Sequence, residues 1–104
     1  MIDLLEVENI DLETNFIEVL FDGMFKEGFY VTTEFDYNVI VEEFEDFDNG
    51  VQEHKIPTEI SFWDFKTFNA EDEQIKINDR DLQRIKQLVE FKLIDILIDE
   101  VNNH

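Results

Sequence analysis

The stretch "FYVTTEFDYNVIVE", residues 29–42, alternates between two sets of side chains and decides the fold. One set is mainly apolar: Phe29, Val31, Thr33, Phe35, Tyr37, Val39 and Val41. The other is mainly polar: Tyr30, Thr32, Glu34, Asp36, Asn38, Ile40 and Glu42. A period of two predicts a β-strand with one face on a core and the other toward solvent. Its length exceeds that of most strands, so we expect a bend or a bulge.

A second strand is predicted over "TEISFWDFKTF", residues 58–68. Ile60 and Phe62 share one face, and the apolar set then shifts to Trp63 and Phe65. This change of phase indicates a bulge, or a strand that is buried on both sides. The intervening "DFDNG", residues 46–50, is typical of a turn or loop. Residues 76–78 are a candidate for a further short strand.

The C-terminal part of the chain predicts a long helix over residues 79–101, capped by Asn78 or Asp79. Its apolar residues form two seams. The first seam comprises Leu82, Ile85, Val89, Leu93 and Ile96. The second comprises Phe91, Ile94 and Ile98. A helix with two apolar seams is either packed on two sides within its own domain or shared with a second copy. The second seam is therefore a candidate self-association surface.

The N-terminal part predicts an amphipathic helix over residues 11–26. Its helically spaced apolar residues are Leu12, Phe16, Val19, Leu20 and Met24. Asp11 is a candidate N-cap, and Gly28 lies where a left-handed terminator belongs. The alternative is a hairpin turn at Asp22-Gly23. Residues 1–10 are ambiguous between a short strand and a lead-in to the helix.

The fold class that follows is α+β in one domain, residues 1–104. We expect an antiparallel sheet of two to four strands, with the N-terminal helix and the long C-terminal helix packed on it. The net charge of −19 alone suggests disorder. However, disordered acidic chains lack aromatic residues, whereas this chain has eleven Phe and 43% hydrophobic residues.

The composition also limits the cellular compartments in which we expect the protein. The chain has no cysteine, which excludes disulfides and thiolate sites. It has no apolar run long enough to span a membrane, and it does not open with a signal peptide. We therefore expect a cytoplasmic protein with no membrane partner.

Residues for catalysis are few. Ser61 is the only serine and lies in a predicted strand, and the only histidines are His54 and His104. The spacing of these residues does not indicate a Ser-His-Asp or Cys-His catalytic set. We expect no enzymatic activity and no cofactor.

Metal and nucleic-acid sites find equally little support. Asp64 and Lys66, with Glu59 upstream, form the acid-x-Lys pattern of metal-dependent nucleases, but a surface of charge −19 repels DNA. The "DFDNG" loop does not fit a calcium loop, because Gly50 in sixth position puts Phe47 in a ligand position. There is no phosphate-binding glycine loop and no basic stripe. We expect neither a metal site nor direct nucleic-acid binding.

The charge is concentrated in one half of the chain. Residues 1–54 hold sixteen acids and one base, Lys26, for a net −15, whereas residues 55–104 hold eleven acids and seven bases, for a net −4. Most protein surfaces intersperse both signs, because charge of one sign opposes folding. The imbalance indicates that the negative field has a use.

The predicted binding residues follow from the strand. Glu34, Asp36 and Glu42 lie on its polar face, where alternate residues are about 6.6 Å apart. The negative charge continues past the expected strand end with Glu43, Glu45, Asp46 and Asp48. Carboxylates accept bidentate hydrogen bonds from arginine much as phosphates do. The hypothesis is that this acidic face occupies the basic surface of a nucleic-acid-binding protein.

Three segments carry a resemblance: "FYVTTEFDYNVIVEEF", "IPTEISFWDFKTF" and "DLQRIKQLVEFKLIDILIDEV", within residues 29–101. Together they resemble small phage-encoded α+β proteins. In size and charge the chain also resembles phage DNA-mimic inhibitors of restriction or CRISPR enzymes, and bacterial immunity proteins that neutralise nuclease toxins. The resemblance implies a non-enzymatic inhibitor. The alternatives are an immunity protein or antitoxin against a basic nuclease, and a small self-associating viral assembly protein.

Overall fold

The computed structural model describes residues 2–23, 28–46, 48 and 50–102, with the backbone alone at Asp46. The elements in chain order are the strands β1 (Asp3–Asp11), β2 (Phe16–Asp22), β3 (Phe29–Asp46) and β4 (Gly50–Asn69), then the helix α1 (Asp79–Asn102). The strands form one antiparallel sheet in the order β1-β2-β3-β4. The fold is α+β, but the expected N-terminal helix does not exist.

The prediction of a helix over residues 11–26 is wrong. Asp11 ends β1, and its Oδ1 accepts hydrogen bonds from the backbone N–H groups of Glu13 (2.9 Å) and Thr14 (3.3 Å). The residue that we expected to cap a helix therefore closes a turn. After the turn, β2 pairs with a strand on each side, and the last part of the expected helix lies outside the described residues.

The error has a physical cause in the position of β2. Ile17, Val19 and Phe21 alternate and are fully buried. The opposite face of this inner strand also carries apolar residues, Phe16 and Leu20, which are half-buried. An inner strand with apolar residues on both faces loses the period of two that identifies a strand, and chance spacing then mimics a helix.

The ambiguous lead-in, residues 1–10, is mostly the edge strand β1. Its half-buried residues Leu4, Val7 and Ile10 recur every third position. The register with β2 shifts twice, between Leu4 and Glu6 and between Val7 and Asn9, so each repeat contains one extra residue. Two bulges thus turn a period of two into a period of three.

The hairpin of β3 and β4 confirms both predicted strands and lengthens them. β3 continues to Asp46 and β4 already begins at Gly50, so the "DFDNG" turn is short. The irregularities lie in β4 rather than β3, at Glu59 (φ 54°) and Asp64 (φ 55°), where the register with β3 shifts. The buried hydroxyl of Thr33 donates to the Trp63 carbonyl (3.0 Å) beside the second bulge. The predicted change of phase in β4 is therefore confirmed as a pair of bulges.

The candidate strand at residues 76–78 is not a strand in the described part of the chain. The segment just before it pairs with the end of β4, since the N–H of Ile75 donates to the Thr67 carbonyl (2.9 Å). An isolated bridge also joins Gln74 to Phe68.

The long C-terminal helix is confirmed, with its cap. The side chain of Asn78 accepts a hydrogen bond from the N–H of Asp81 and donates one to the Asp81 carboxylate, both at 2.9 Å. This reciprocal pair satisfies a free N–H at the start of α1. The first predicted seam is buried as expected at Ile85, Val89 and Leu93, and Leu97 continues it.

The core lies between α1 and one face of the sheet, which we call the helix side. Its sheet residues include Ile17, Val19, Phe21, Phe29, Val31 and Phe35. Phe21 and Phe29 stack with ring centroids 5.2 Å apart. The opposite face of the sheet, which we call the open face, bears no helix among the described residues.

Gly28, at the entrance to β3, has φ +82°, and a Cβ there would lie 2.8 Å from the Phe21 carbonyl oxygen. Gly50 has a similar φ of +76° but open space around it. We expect Gly50→Ala to cost about 1 kcal/mol from its left-handed backbone alone. Gly28→Ala should cost roughly 1–3 kcal/mol more, because the sheet must move to make room. Urea unfolding of both variants checks this, and equal losses of stability would contradict the close approach.

Candidate acidic binding surface

The open face displays the acidic row that the sequence predicts. Glu34, Asp36 and Glu42 are exposed on one face of β3, with Asn38 and Ile40 between Asp36 and Glu42. Opposite them on β4 lie, respectively, Trp63, Ser61 and His54. Directly paired residues share a face, so the row is part of a continuous surface across two strands.

Three further carboxylates extend this surface across β2 and β1, and sequence reasoning missed them. Glu18 lies on β2 between Asn9 of β1 and Thr32 of β3. Glu6 and Glu8 come from the bulged strand β1, where no regular alternation reveals which face a residue occupies. Their membership of the open face depends on the β1–β2 register, which the sequence does not encode locally.

The carboxylates of Glu6, Glu8 and Glu18 influence one another. A side-chain hydrogen bond with Glu6 raises the pKa of Glu8 above its ordinary value. Repulsion from Glu6, loss of hydration and repulsion from Glu18 raise this pKa further, in that order. Crowded carboxylates retain protons more strongly, because the charged form of each is disfavoured by its neighbours.

Beyond Phe35, the β3–β4 hairpin continues without β2 as a two-stranded ribbon, residues 36–46 and 50–61. The last part, residues 42–46 and 50–54, is the ribbon tip. Glu43 and Glu45 were expected past the end of the strand, but they belong with Glu42 to β3 itself. Alternation within the strand puts Glu42 on the open face, and Glu43 and Glu45 on the helix side. The predicted acidic surface therefore covers both faces of the ribbon.

The remaining two predicted binding residues lie at the end of the hairpin. Asp46 is the last residue of β3, and its side chain is outside the described part of the structure. Asp48 lies in the turn.

The ribbon tip concentrates negative charge. Residues 42–54 contain six carboxylates and neither lysine nor arginine. Glu43 lies directly opposite Glu53, and like charges in this position destabilise a strand pair. Among the residues that the structure describes, no lysine or arginine lies within 4.0 Å of Glu42, Glu43 or Glu45. The described ion pair is elsewhere, between Lys66 and Asp64 (4.0 Å).

Apolar side chains are interleaved with these acids. Five on the ribbon are between 41% and 62% exposed: Val39, Ile40, Val41, Phe44 and Val51. An open groove of about 500 Å³ lies under the ribbon, lined by Val39, Val41, Lys55, Glu100 and Val101. A smaller hollow of about 220 Å³ at the tip is lined by Glu43, Phe44, Glu45 and Val51. Acidic and apolar side chains therefore share the same exposed surface of the ribbon.

The candidate self-association residues lie on α1. Phe91 is 66% exposed, whereas Ile94 and Ile98 are half-buried. All three are outside the fully buried seam that packs on the sheet.

The residues considered for catalysis are not brought together. His54 and Ser61 are both exposed on β4, seven positions apart along the strand, and His104 lies outside the described residues. Glu59 is engaged at its bulge, where its Oε2 accepts a hydrogen bond from the side chain of Asn38 (2.6 Å).

Two features are absent from the described residues. No cluster of three or more His, Cys, Asp or Glu side chains has the arrangement to hold a metal ion. None of the described helical structure combines the length and hydrophobicity needed to cross a lipid bilayer.

No protein-family model matches the chain, and neither a curated protein nor a solved structure matches it.

The raised pKa of Glu8 predicts a pH-dependent stability. The folded chain holds this proton more tightly than the unfolded chain, so the contribution is complete below pH 4.5, the ordinary value, and is lost as the pH rises through the higher folded pKa. Glu8→Gln should therefore raise the melting temperature at neutral pH and have little effect at pH 4. Glu13→Gln removes the same charge from the exposed β1–β2 turn and serves as the control. Equal effects of the two variants at every pH would contradict the carboxylate cluster.

Proposed function

We propose that the chain is a non-enzymatic acidic inhibitor that occupies the basic nucleic-acid-binding surface of a partner protein. The partner class is a nuclease or a restriction or CRISPR effector. The supporting observation is the group of carboxylates on the open face and the ribbon tip: among the described residues, no lysine or arginine lies within 4.0 Å of Glu34, Asp36, Glu42, Glu43 or Glu45. An immunity protein that neutralises a basic nuclease would use the same chemistry.

The spacing of the array suits this role. Carboxylates at alternate positions of β3 are about 6.6 Å apart along the strand, and neighbouring strands add charges about 4.8 Å to the side. Duplex DNA carries one charge per roughly 1.7 Å of axis, counting both strands. One strand cannot reach that density, but β1, β2 and β3 each contribute acids to the same face. Arginines that normally bind phosphates can therefore find several acceptors at once.

The shape of the molecule supports the same reading. Its extents are 54 × 27 × 22 Å, and the long axis corresponds to about sixteen base pairs at roughly 3.4 Å each. An elongated body with an acidic long side can cover a DNA-binding channel over much of its length.

The charge explains why such a surface acts at a distance. Opposite fields increase the rate of encounter, and the attraction weakens as salt screens it. Binding to a basic partner should therefore depend steeply on ionic strength.

This proposal is tested by competition with DNA. The probe is the set of bacterial proteins that a duplex-DNA column retains, and the readout is their release by the added chain. We expect the unmodified chain to release a defined subset at about 50 mM salt, and the effect to fall steeply toward about 200 mM. The triple variant Glu34→Gln, Asp36→Asn, Glu42→Gln should lose most of this activity, because it removes the predicted row.

The matched control carries Glu13→Gln, Asp95→Asn and Asp99→Asn, which remove the same charge from exposed positions away from the row. It should release the same proteins as the unmodified chain. An equal loss of activity in the two triple variants would show that net charge alone acts. Absence of release by the unmodified chain at low salt would refute the proposal.

A second candidate function is self-association in an assembly, which the exposed Phe91 on α1 favours. In this case the chain should form oligomers in sedimentation experiments, and Phe91→Ser should convert them to monomers. Gln87→Ser, on the same exposed side of α1, is the control and should leave the oligomers intact. A chain that is monomeric at every concentration would contradict this function.

A further inference from the structure

The direction of the backbone groups in the ribbon can be read from the end of α1. The side-chain amide of Asn102 accepts a hydrogen bond from the Lys55 N–H (3.0 Å) and donates one to the Lys55 carbonyl (2.9 Å). Both backbone groups of Lys55 thus point away from β3. In an antiparallel ladder, this is the arrangement of a pair that exchanges no hydrogen bonds.

The register transfers this information to β3. Lys55 lies opposite Val41, and the pairing is regular from Asn38 to Asp46. The N–H and C=O groups of Val41 therefore point away from β4. By alternation, the backbone groups of Val39, Glu43 and Glu45 do the same.

Two hydrogen bonds nearer the core confirm the assignment for odd-numbered residues of β3. The N–H of Phe35 donates to the Asn15 carbonyl (2.9 Å), on the side where β2 lies. The N–H of Tyr37 donates to the carboxylate of its own neighbour Asp36 (3.0 Å) instead of a strand. β2 ends its pairing at Phe16 and Glu34.

Residues 37–45 of β3 consequently form a free strand edge, which we call the β3 edge. No described strand pairs with it, and it contains neither proline nor a bulge. Long edges of this kind are templates for pairing with another chain. The exposed side chains of Val39, Ile40 and Val41 flank the backbone groups that a new strand would bind.

From Lys55 onward, the outer edge of β4 is protected by contrast. Asn102 covers Lys55, and Pro57 has no N–H to donate. Bulges interrupt the edge at Glu59 and Asp64. Near its end, Ile75 and Glu73 bond the outward groups of Thr67 and Asn69. Natural sheets block edge pairing with these same devices, so their absence from the β3 edge sets it apart.

We propose that the β3 edge binds an extended segment of the partner, which adds to the sheet as a further strand. The segment carries apolar side chains beside Val39 and Val41 and basic side chains beside Glu43 and Glu45. Main-chain hydrogen bonds supply affinity in this mode, and alternate side chains supply specificity. The basic character of the segment rests on the proposed function.

Charge favours a foreign basic segment over a second copy of this chain. Residues 37–45 contain Glu42, Glu43 and Glu45 and no lysine or arginine. A second copy would bring the same carboxylates to the edge without a cation to balance them. A basic segment would neutralise them, and like charges in cross-strand positions destabilise pairing.

The edge geometry is tested first by amide hydrogen exchange in the free chain. Val39, Val41 and Glu43 should exchange rapidly, whereas Ile40, Glu42 and Phe44, which bond to β4, should be protected. Uniform protection along residues 39–44 would overturn the assignment. Protection of Val39 and Val41 that grows with protein concentration would show that a second copy occupies the edge, and would also overturn the proposal.

The occupant is tested with a synthetic ten-residue peptide that has valines at alternate positions of one half, arginines at the corresponding positions of the other half and threonines between them, so that the valines and arginines share one face of the added strand. In NMR titrations it should shift and protect the amides of Val39, Val41 and Glu43. A peptide of the same sequence with alternate backbone nitrogens methylated keeps the charge but cannot complete a ladder. The methylated peptide should bind at least about tenfold more weakly than the unmethylated one. Equal binding of both peptides would mean that charge alone attracts them and would overturn strand addition.

Two proline variants locate the edge that is used. Val41→Pro removes an outward N–H from the β3 edge without breaking the β3–β4 ladder, and should weaken peptide binding about tenfold. Val51→Pro removes an outward N–H from β4 and should leave binding unchanged. If Val51→Pro weakened peptide binding and Val41→Pro did not, the binding site would lie on β4.

The same variants separate this inference from the proposed function. If the peptide adds to the β3 edge but the chain releases no protein from the DNA column, the edge stands and the inhibitor proposal falls. If Val41→Pro still releases DNA-binding proteins as the unmodified chain does, the inhibitor acts by another surface and the strand-addition proposal is overturned.

Discussion

The antiparallel pairing of β3 with β4 is the constraint on which the rest of the structure depends. Its inner half supplies Phe29, Val31 and Phe35 to the core under α1. Its outer half continues past the end of β2 and holds the acidic ribbon tip away from that core. Repulsion between Glu43 and Glu53 opposes the outer half, and the regular ladder with Asn102 at its side opposes this repulsion. Repulsion between carboxylates would destabilise a small globular core, but it costs less stability in a ribbon that makes few buried contacts.

The sequence predicted β3 and α1, whose periodicity is undisturbed, and also the second half of β4 in spite of its bulges. β3 is regular throughout, and α1 has an explicit cap at Asn78, so both were found. β1 and β2 were not, because two bulges gave β1 a period of three and β2 carries apolar residues on both faces. The irregular patterns of β1 and β2 also limited the prediction of the acidic residues on the open face. Glu34, Asp36 and Glu42 follow from the alternation of β3, whereas Glu8 and Glu18 join them only through pairing between strands.

The two edges of the β3–β4 hairpin differ in how many backbone groups are free to bind another strand, and this difference connects the fold to recognition. On β4 from Lys55 onward, Pro57, the bulges and the Asn102 amide occupy or remove outward groups. On β3, the free backbone groups coincide with the exposed valines and the carboxylates. Charge brings a basic protein to the molecule from a distance, and a backbone ladder holds only a segment of suitable shape. Long-range attraction and short-range selection thus lie on one element.

The two-stranded construction of the ribbon has a consequence for how the chain can change. Side chains beyond the Val41–Lys55 pair lie past the end of α1, and few of them support the packed interior. Substitutions there alter what the molecule recognises with little penalty to folding. Recognition and folding are thereby assigned to separate lengths of the same hairpin, so one scaffold can be retargeted to new proteins by rewriting about a dozen residues.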